Sequence, residues 1–170
     1  MDGVTRGLVA GAAGTSALNA VTYLDMAVRG RPASDTPEQS VRRLAGAAGV
    51  GLGGDPGKAR NRESGLGALL GYGTGLGAAV AYALAAREHR VPRPAAALAL
   101  SALALLGSNG PLTALGLTDP RRWTTADWVS DILPHLAYGT VAAAVDGALR
   151  RPPERRGRYR RRRARRARRG

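Results

Sequence analysis

Asp131 and His135 stand four residues apart in the stretch WVSDILPHLAYGTVAAAVDGAL, residues 128–149. On a helix that spacing puts both side chains on one face, where a carboxylate can orient an imidazole. The chemistry within reach is proton exchange or cation binding, because ionisable groups inside an apolar helix are costly to keep. A plainer use competes: Asp and His can hydrogen-bond to hydroxyls of a neighbouring helix and fix its packing. Packing is the first reading of the pair, and a proton-responsive site is the second.

The helix that carries the pair sorts its polar groups. At 100° per residue, Asp127, Asp131, His135, Tyr138, Ala142 and Asp146 fall in one stripe about 100° wide. The remaining faces are apolar, so the stripe is expected to meet other protein. A rise of 1.5 Å per residue puts His135 about 10 Å below the Trp128 end. Pro134 frees the carbonyl one turn earlier, near Ser130, and lets the helix bend. A partner for the stripe is offered by Thr15, Ser16, Asn19, Thr22 and Tyr23, which also recur at helical spacing. Asp131, His135, Tyr138 and Asn19 therefore form the candidate intramembrane polar site.

Four segments have the length needed to cross a hydrocarbon core about 30 Å thick. They are residues 7–28, 65–86, 95–118 and 128–149, and the second and third carry no charge over 22 and 24 residues. Hydrophobic residues make up 44 % of the 170-residue chain, yet Phe is absent and Ala and Gly dominate. A water-soluble core built from such small side chains would bury little apolar area, whereas helices in lipid associate through small residues. Gly67, Gly71 and Gly75 form a ridge at four-residue steps, continued by Ala79 and Ala83; Gly139, Ala143 and Gly147 form another. The expected fold is all-α: a four-helix integral membrane bundle. Asp2 occupies the place of a basic leader, so the first segment reads as a retained span rather than a cleaved signal.

Between the first two spans, SDTPEQSV offers Asp35 and Glu38 as a capping box, with Pro37 in the first turn. A short amphipathic helix over residues 35–48 follows, and GVGLGGDPGKARNRE after it reads as a flexible turn region. In the third span, Pro111 in GSNGP predicts a kink or break.

Nucleotide motifs do not survive their context. GVGLGG matches the dinucleotide pattern in letters but follows a helix rather than a strand. Near Lys58 the phosphate-loop pattern is spoiled by Leu52 and Ala59. No nucleophile elbow or catalytic triad is suggested, so the chain is not expected to be an enzyme. Cys is absent, which excludes thiolate metal sites and disulfides. No metal or cofactor is expected.

The net charge of +14 is concentrated at one end: 13 of the 26 basic residues lie from Arg150 onward. This segment, residues 150–170, reads as a disordered arginine-rich tail. It would anchor the topology and bind anionic lipid headgroups, with RNA or DNA binding ranked below these uses. With four spans, the termini and the second loop share 17 basic residues against 9 on the other side. That count places both termini in the cytoplasm of a multi-pass protein of the cell membrane, and it rests on the tail. The expected partners are the bilayer itself, anionic headgroups, and a second copy or another membrane protein through the glycine ridges.

VSDILPHLAYG, residues 129–139, resembles the last span of the YagU-like inner-membrane family, which has an acid and a His at this spacing. RPASDTPEQSV, NRESGLGALLGYGTG and TDPRRWTTADWVSDILPHLAYG resemble segments of small integral membrane proteins of high-GC actinobacteria. The resemblance implies an integral membrane protein and draws attention to Asp131 and His135. It implies no substrate. The functions weighed are, in order, a non-enzymatic structural or interaction component of the membrane, a transporter or proton-responsive element using Asp131 and His135, and a membrane-tethered nucleic-acid binder.

Overall fold

Three of the four long helices start where a side chain takes up an unpaired amide. The structure, a computed structural model, describes residues 1–150; the tail readings for residues 151–170 lie outside the described residues. Asp2 opens α1 (Gly3–Arg29) by accepting the Thr5 amide at 2.9 Å and the Thr5 hydroxyl at 2.8 Å. These bonds hold the Asp2 carboxyl below the usual carboxylate range. Gly30, at φ 63°, ends the helix in the left-handed conformation.

The expected capping box of α2 (Thr36–Ala47) does not form. Asp35 sits at φ −90° and ψ 2°, not in the extended conformation from which a cap residue reaches the third amide. The Ser34 hydroxyl accepts the Thr36 amide instead, at 3.3 Å.

α3 (Pro56–Ala85) starts at Pro56 and not at Gly65. Asp55 is extended and accepts the Lys58 amide at 2.7 Å, while Pro56 supplies the preset φ of a first helical residue. DPGK therefore opens a helix, against its reading as flexible turn.

α4 (Arg93–Ala114) runs without a break through GSNGP. Pro111 removes only its own donor, and the polar residues before it find partners on the neighbouring helix. The helix stops at Ala114, short of Thr118, with Gly116 at φ 68° just beyond. A single 3-10 turn, Pro120–Arg122, leads to α5 (Thr125–Leu149). Here a full capping box is present: Asp127 donates its amide to the Thr124 hydroxyl at 3.2 Å, and the Thr124 amide returns to the Asp127 carboxylate at 2.9 Å. Asp127 belongs to this cap rather than to the polar stripe.

No strand is present among the described residues. The four long helices form a closed ring in which α1 touches α3 and α5, and α4 touches the same two. Neighbours run antiparallel: Arg6 near the start of α1 reaches Ala83 near the end of α3 and Asp146 near the end of α5. α2 lies outside the ring against α3. α3, α4 and α5 are long and apolar enough to cross a membrane. α1 is not among them, although it has 27 residues; Asn19 and its hydroxyl residues dilute its apolar content.

The interior is built from small and polar residues. Its fully buried large side chains are Tyr138 and Leu100 alone among the described residues, and Ala supplies most of the remaining core. Arg6, Thr15, Ser101, His135 and Asp146 are buried with them. Large aliphatic side chains point outward instead: Leu69, Leu98 and Leu106 are 66 %, 63 % and 65 % exposed.

Candidate functional site

His135 directly follows Pro134 and is buried where α5 meets α4. His135 Nδ1 lies 2.7 Å from the Asp131 backbone carbonyl. A carbonyl only accepts, so Nδ1 carries the proton, and in the neutral ring Nε2 is the acceptor. Ser108 Oγ of α4 stands 3.3 Å from Nε2 and 3.1 Å from the Leu105 carbonyl. The hydroxyl can donate to one of these at a time. With a neutral ring it donates to Nε2; with a protonated ring it accepts from Nε2 and donates to Leu105.

The Asp131 carboxylate lies 3.6 Å from Nδ1 and accepts the Asn109 side-chain amide at 2.7 Å. GSNG thus presents Ser108 and Asn109 side by side to the pair on α5. Asp131 and His135 lie together as their spacing predicts, but the backbone carbonyl of Asp131, not its carboxylate, takes the Nδ1 hydrogen bond. The sequence reading assigns their partner to the wrong helix: both partners come from α4, and Asn19 of α1 makes no side-chain hydrogen bond to either. Spacing fixes which residues share a face but not which helix faces them.

Tyr138, one turn further, is fully buried and donates its hydroxyl to the Gly75 carbonyl of α3 at 2.5 Å. A Cβ at Gly14 of α1 would fall 2.7 Å from its ring. The ring therefore occupies room that α1 and α3 both leave for it. Thr15 Oγ1 packs against Gly75 and has no hydrogen-bond partner among the described residues.

The glycine ridges are divided among different neighbours. Gly67 lies under Pro37 of α2, and Gly75 under Thr15 and Tyr138. Gly71 between them faces open space, so the ridge is not one continuous packing surface. Gly139 meets Ser101 and the Ala97 carbonyl of α4, whereas Gly147 has only Arg93 Nε at 4.0 Å. Gly139 is the tightest of these, a Cβ there running into the Ala97 carbonyl oxygen, and α1 meets α3 almost as closely: Cβ atoms on Gly7 and Gly11 of α1 would fall 2.6 Å and 2.8 Å from Val80 and Leu76 Cα of α3. That four-residue glycine step at the start of α1 is a signal the sequence reading passed over.

An ion cluster closes the end of the ring where α1 begins. Arg6 Nε donates to Asp146 at 2.5 Å and its Nη2 to the Ala83 carbonyl at 2.9 Å. Arg150 Nε donates to the other Asp146 oxygen at 2.9 Å and its Nη1 to the Ala86 and His89 carbonyls, each at 3.0 Å. Arg150, assigned to the tail from sequence, folds back onto the ring. Asp146 shares the stripe of His135 and Tyr138, so a cation for it was to be sought, and Arg6 is the one basic residue preceding the first span. At the other end Asp25 accepts Arg31 Nε at 2.5 Å, and Arg29 donates to Ser130 of α5 at 2.6 Å.

Among the described residues no three His, Asp or Glu side chains converge to hold a metal ion. No protein-family model, curated protein or solved structure matches the chain.

Proposed function

We propose that this chain is a small multi-pass membrane protein whose four long helices all cross the bilayer, and that it acts as a non-enzymatic structural or interaction component there. The observation that carries the reading is the inverted distribution of side chains: leucines outside, with Ala, Gly, hydroxyls and an ion pair inside. In water such exposed aliphatics form patches that a lone soluble protein avoids. In lipid the same surface is matched to its solvent, and small residues give the close helix contacts.

α1 is supported as the fourth span by its charges. Arg6 and Asp25 are 19 residues apart with no charge between them, about 28 Å along a helix. That distance matches the hydrocarbon thickness. The polar residues that lower its hydropathy include Thr15, which is turned inward. Trp123 and Trp128 pack edge to face, 4.9 Å apart, near the start of α5, as interfacial aromatics do. The resemblance to small actinobacterial membrane proteins and, in the last span, to the YagU-like family agrees with this proposal. Cytoplasmic termini in the cell membrane follow from the tail arginines.

Packing remains the first reading of the Asp131–His135 pair, because Ser108, Asn109 and backbone carbonyls satisfy it. The geometry leaves room for a proton-responsive second reading: Ser108 Oγ stands 3.3 Å from His135 Nε2 and can either donate to it or accept from it. Binding of nucleic acid by the arginine tail ranks third.

Alkaline carbonate extraction of membranes from expressing cells tests the main proposal. The chain is expected to stay in the pellet and to need detergent for release. Recovery as a monodisperse species without detergent contradicts it.

A further inference from the structure

α3 carries more than a span. Its first nine residues, PGKARNRES, are polar, and charge disappears from Gly65 onward. Lys58, Arg62, Leu66, Leu69, Leu70 and Gly73 recur at steps of four, four, three, one and three, so they share one face. The lower part of this face lines an open groove of about 640 Å³ between α3 and α2. Val41 and Leu44 of α2, Val50 and Leu52 of the following turn, and Leu66 and Leu70 of α3 form its walls. From Leu66 to Thr74 the groove runs about 12 Å along the helix.

Cations stand at the polar end of the groove. Arg62 Nη1 donates to the carbonyl of Leu52, a wall residue, at 2.6 Å. Lys58 lies one turn above Arg62 on the same face. The nearby acids are engaged elsewhere: Asp55 accepts the Lys58 backbone amide, and Glu63 accepts Arg42 at 2.6 Å. Neither Lys58 nor Arg62 makes an ion pair with an acid among the described residues.

An apolar slot that begins where the charges end, capped by two cations, is complementary to one kind of molecule. We infer that the α2–α3 groove holds an acyl chain of an anionic glycerophospholipid, with Lys58 and Arg62 at its headgroup. The inference rests on the membrane reading above. It gives α2 a purpose: the helix is the outer wall of a lipid site.

The chain has no Cys, so a single bimane-labelled cysteine reports locally. Leu69→Cys places it at the groove, and Leu106→Cys on α4 places it on bulk lipid. Both labelled full-length chains are reconstituted in vesicles with brominated phosphatidylglycerol or brominated phosphatidylcholine. Quenching at position 69 is expected to favour phosphatidylglycerol about tenfold, from two cations near an anionic headgroup. In K58Q/R62Q that preference falls to that of position 106, which is quenched equally by both lipids. No preference at 69, a preference that survives K58Q/R62Q, or a label shielded by a second copy overturns the lipid site. Absence of quenching at 106 overturns the membrane reading instead.

Discussion

Tyr138 donates its hydroxyl to the Gly75 carbonyl at 2.5 Å, and its ring fills the space that Gly14 leaves on a third helix. One side chain of α5 thus ties together α1 and α3, which already approach each other at Gly7 and Gly11. The consequence is an uneven sensitivity to added methyl groups.

G14A sets a Cβ against the Tyr138 ring and carbonyl, both fixed by packing. Overpacking of this kind costs about 1–3 kcal/mol. G71A adds the same atom in open space and is expected to change stability by less than about 0.5 kcal/mol. Thermal unfolding in detergent, followed by size-exclusion chromatography, should show a lowered midpoint for G14A only. A midpoint lowered as much in G71A would mean that the Gly67–Gly71–Gly75 ridge packs along its whole length, and an unchanged midpoint in G14A would remove the Tyr138 contact from the account.

The Arg6–Asp146 pair makes a second prediction. Its side chains are only 10 % and 5 % exposed, and Arg150 shares the same carboxylate. D146A leaves two guanidinium groups facing each other without an acid, an uncompensated charge worth about 3–5 kcal/mol. R6L/D146L, which removes the deeper cation as well, should regain part of that loss. Thermal midpoints of the three proteins in one detergent check the order; a D146A protein as stable as the parent would remove the cluster from the account.

His135 separates packing from proton chemistry. H135N keeps hydrogen-bonding capacity toward Ser108 and removes the titrating ring. As packing, the bond is worth about 0.6 kcal/mol, so H135N should assemble normally with a small loss of stability. Proteoliposomes carrying the parent and H135N should show the same proton flux between acid and neutral pH. A pH-dependent flux present in the parent and lost in H135N would promote the proton-responsive reading over packing.

The sequence was most informative where a residue type has one physical use. Uncharged stretches located the bodies of α3 and α4, and spacing at 100° per residue put Asp131, His135, Tyr138 and Asp146 of α5 on one inward face. Boundaries were less legible. DPGK looked like a turn because Gly and Pro dominate it, yet Asp55 and Pro56 are a cap and a first helical residue. GSNGP reads as a break because Pro111 lacks a donor, yet Ser108 and Asn109 find partners on α5 that keep the helix in place. Pairings between distant residues were not legible at all: Arg6 and Asp146 are 140 positions apart, and only the antiparallel ring brings them together.

Sidedness of the loops tests the central claim most directly. Single cysteines at Asp2, Ala33, Glu88 and Arg121 are exposed in intact cells to a maleimide that does not cross membranes. The account predicts labelling at positions 33 and 121 without permeabilisation, and at 2 and 88 only after it. Labelling of 2 and 33 from the same side would deny that α1 crosses the bilayer, and equal labelling of all four in intact cells would deny that the bilayer surrounds this ring of helices.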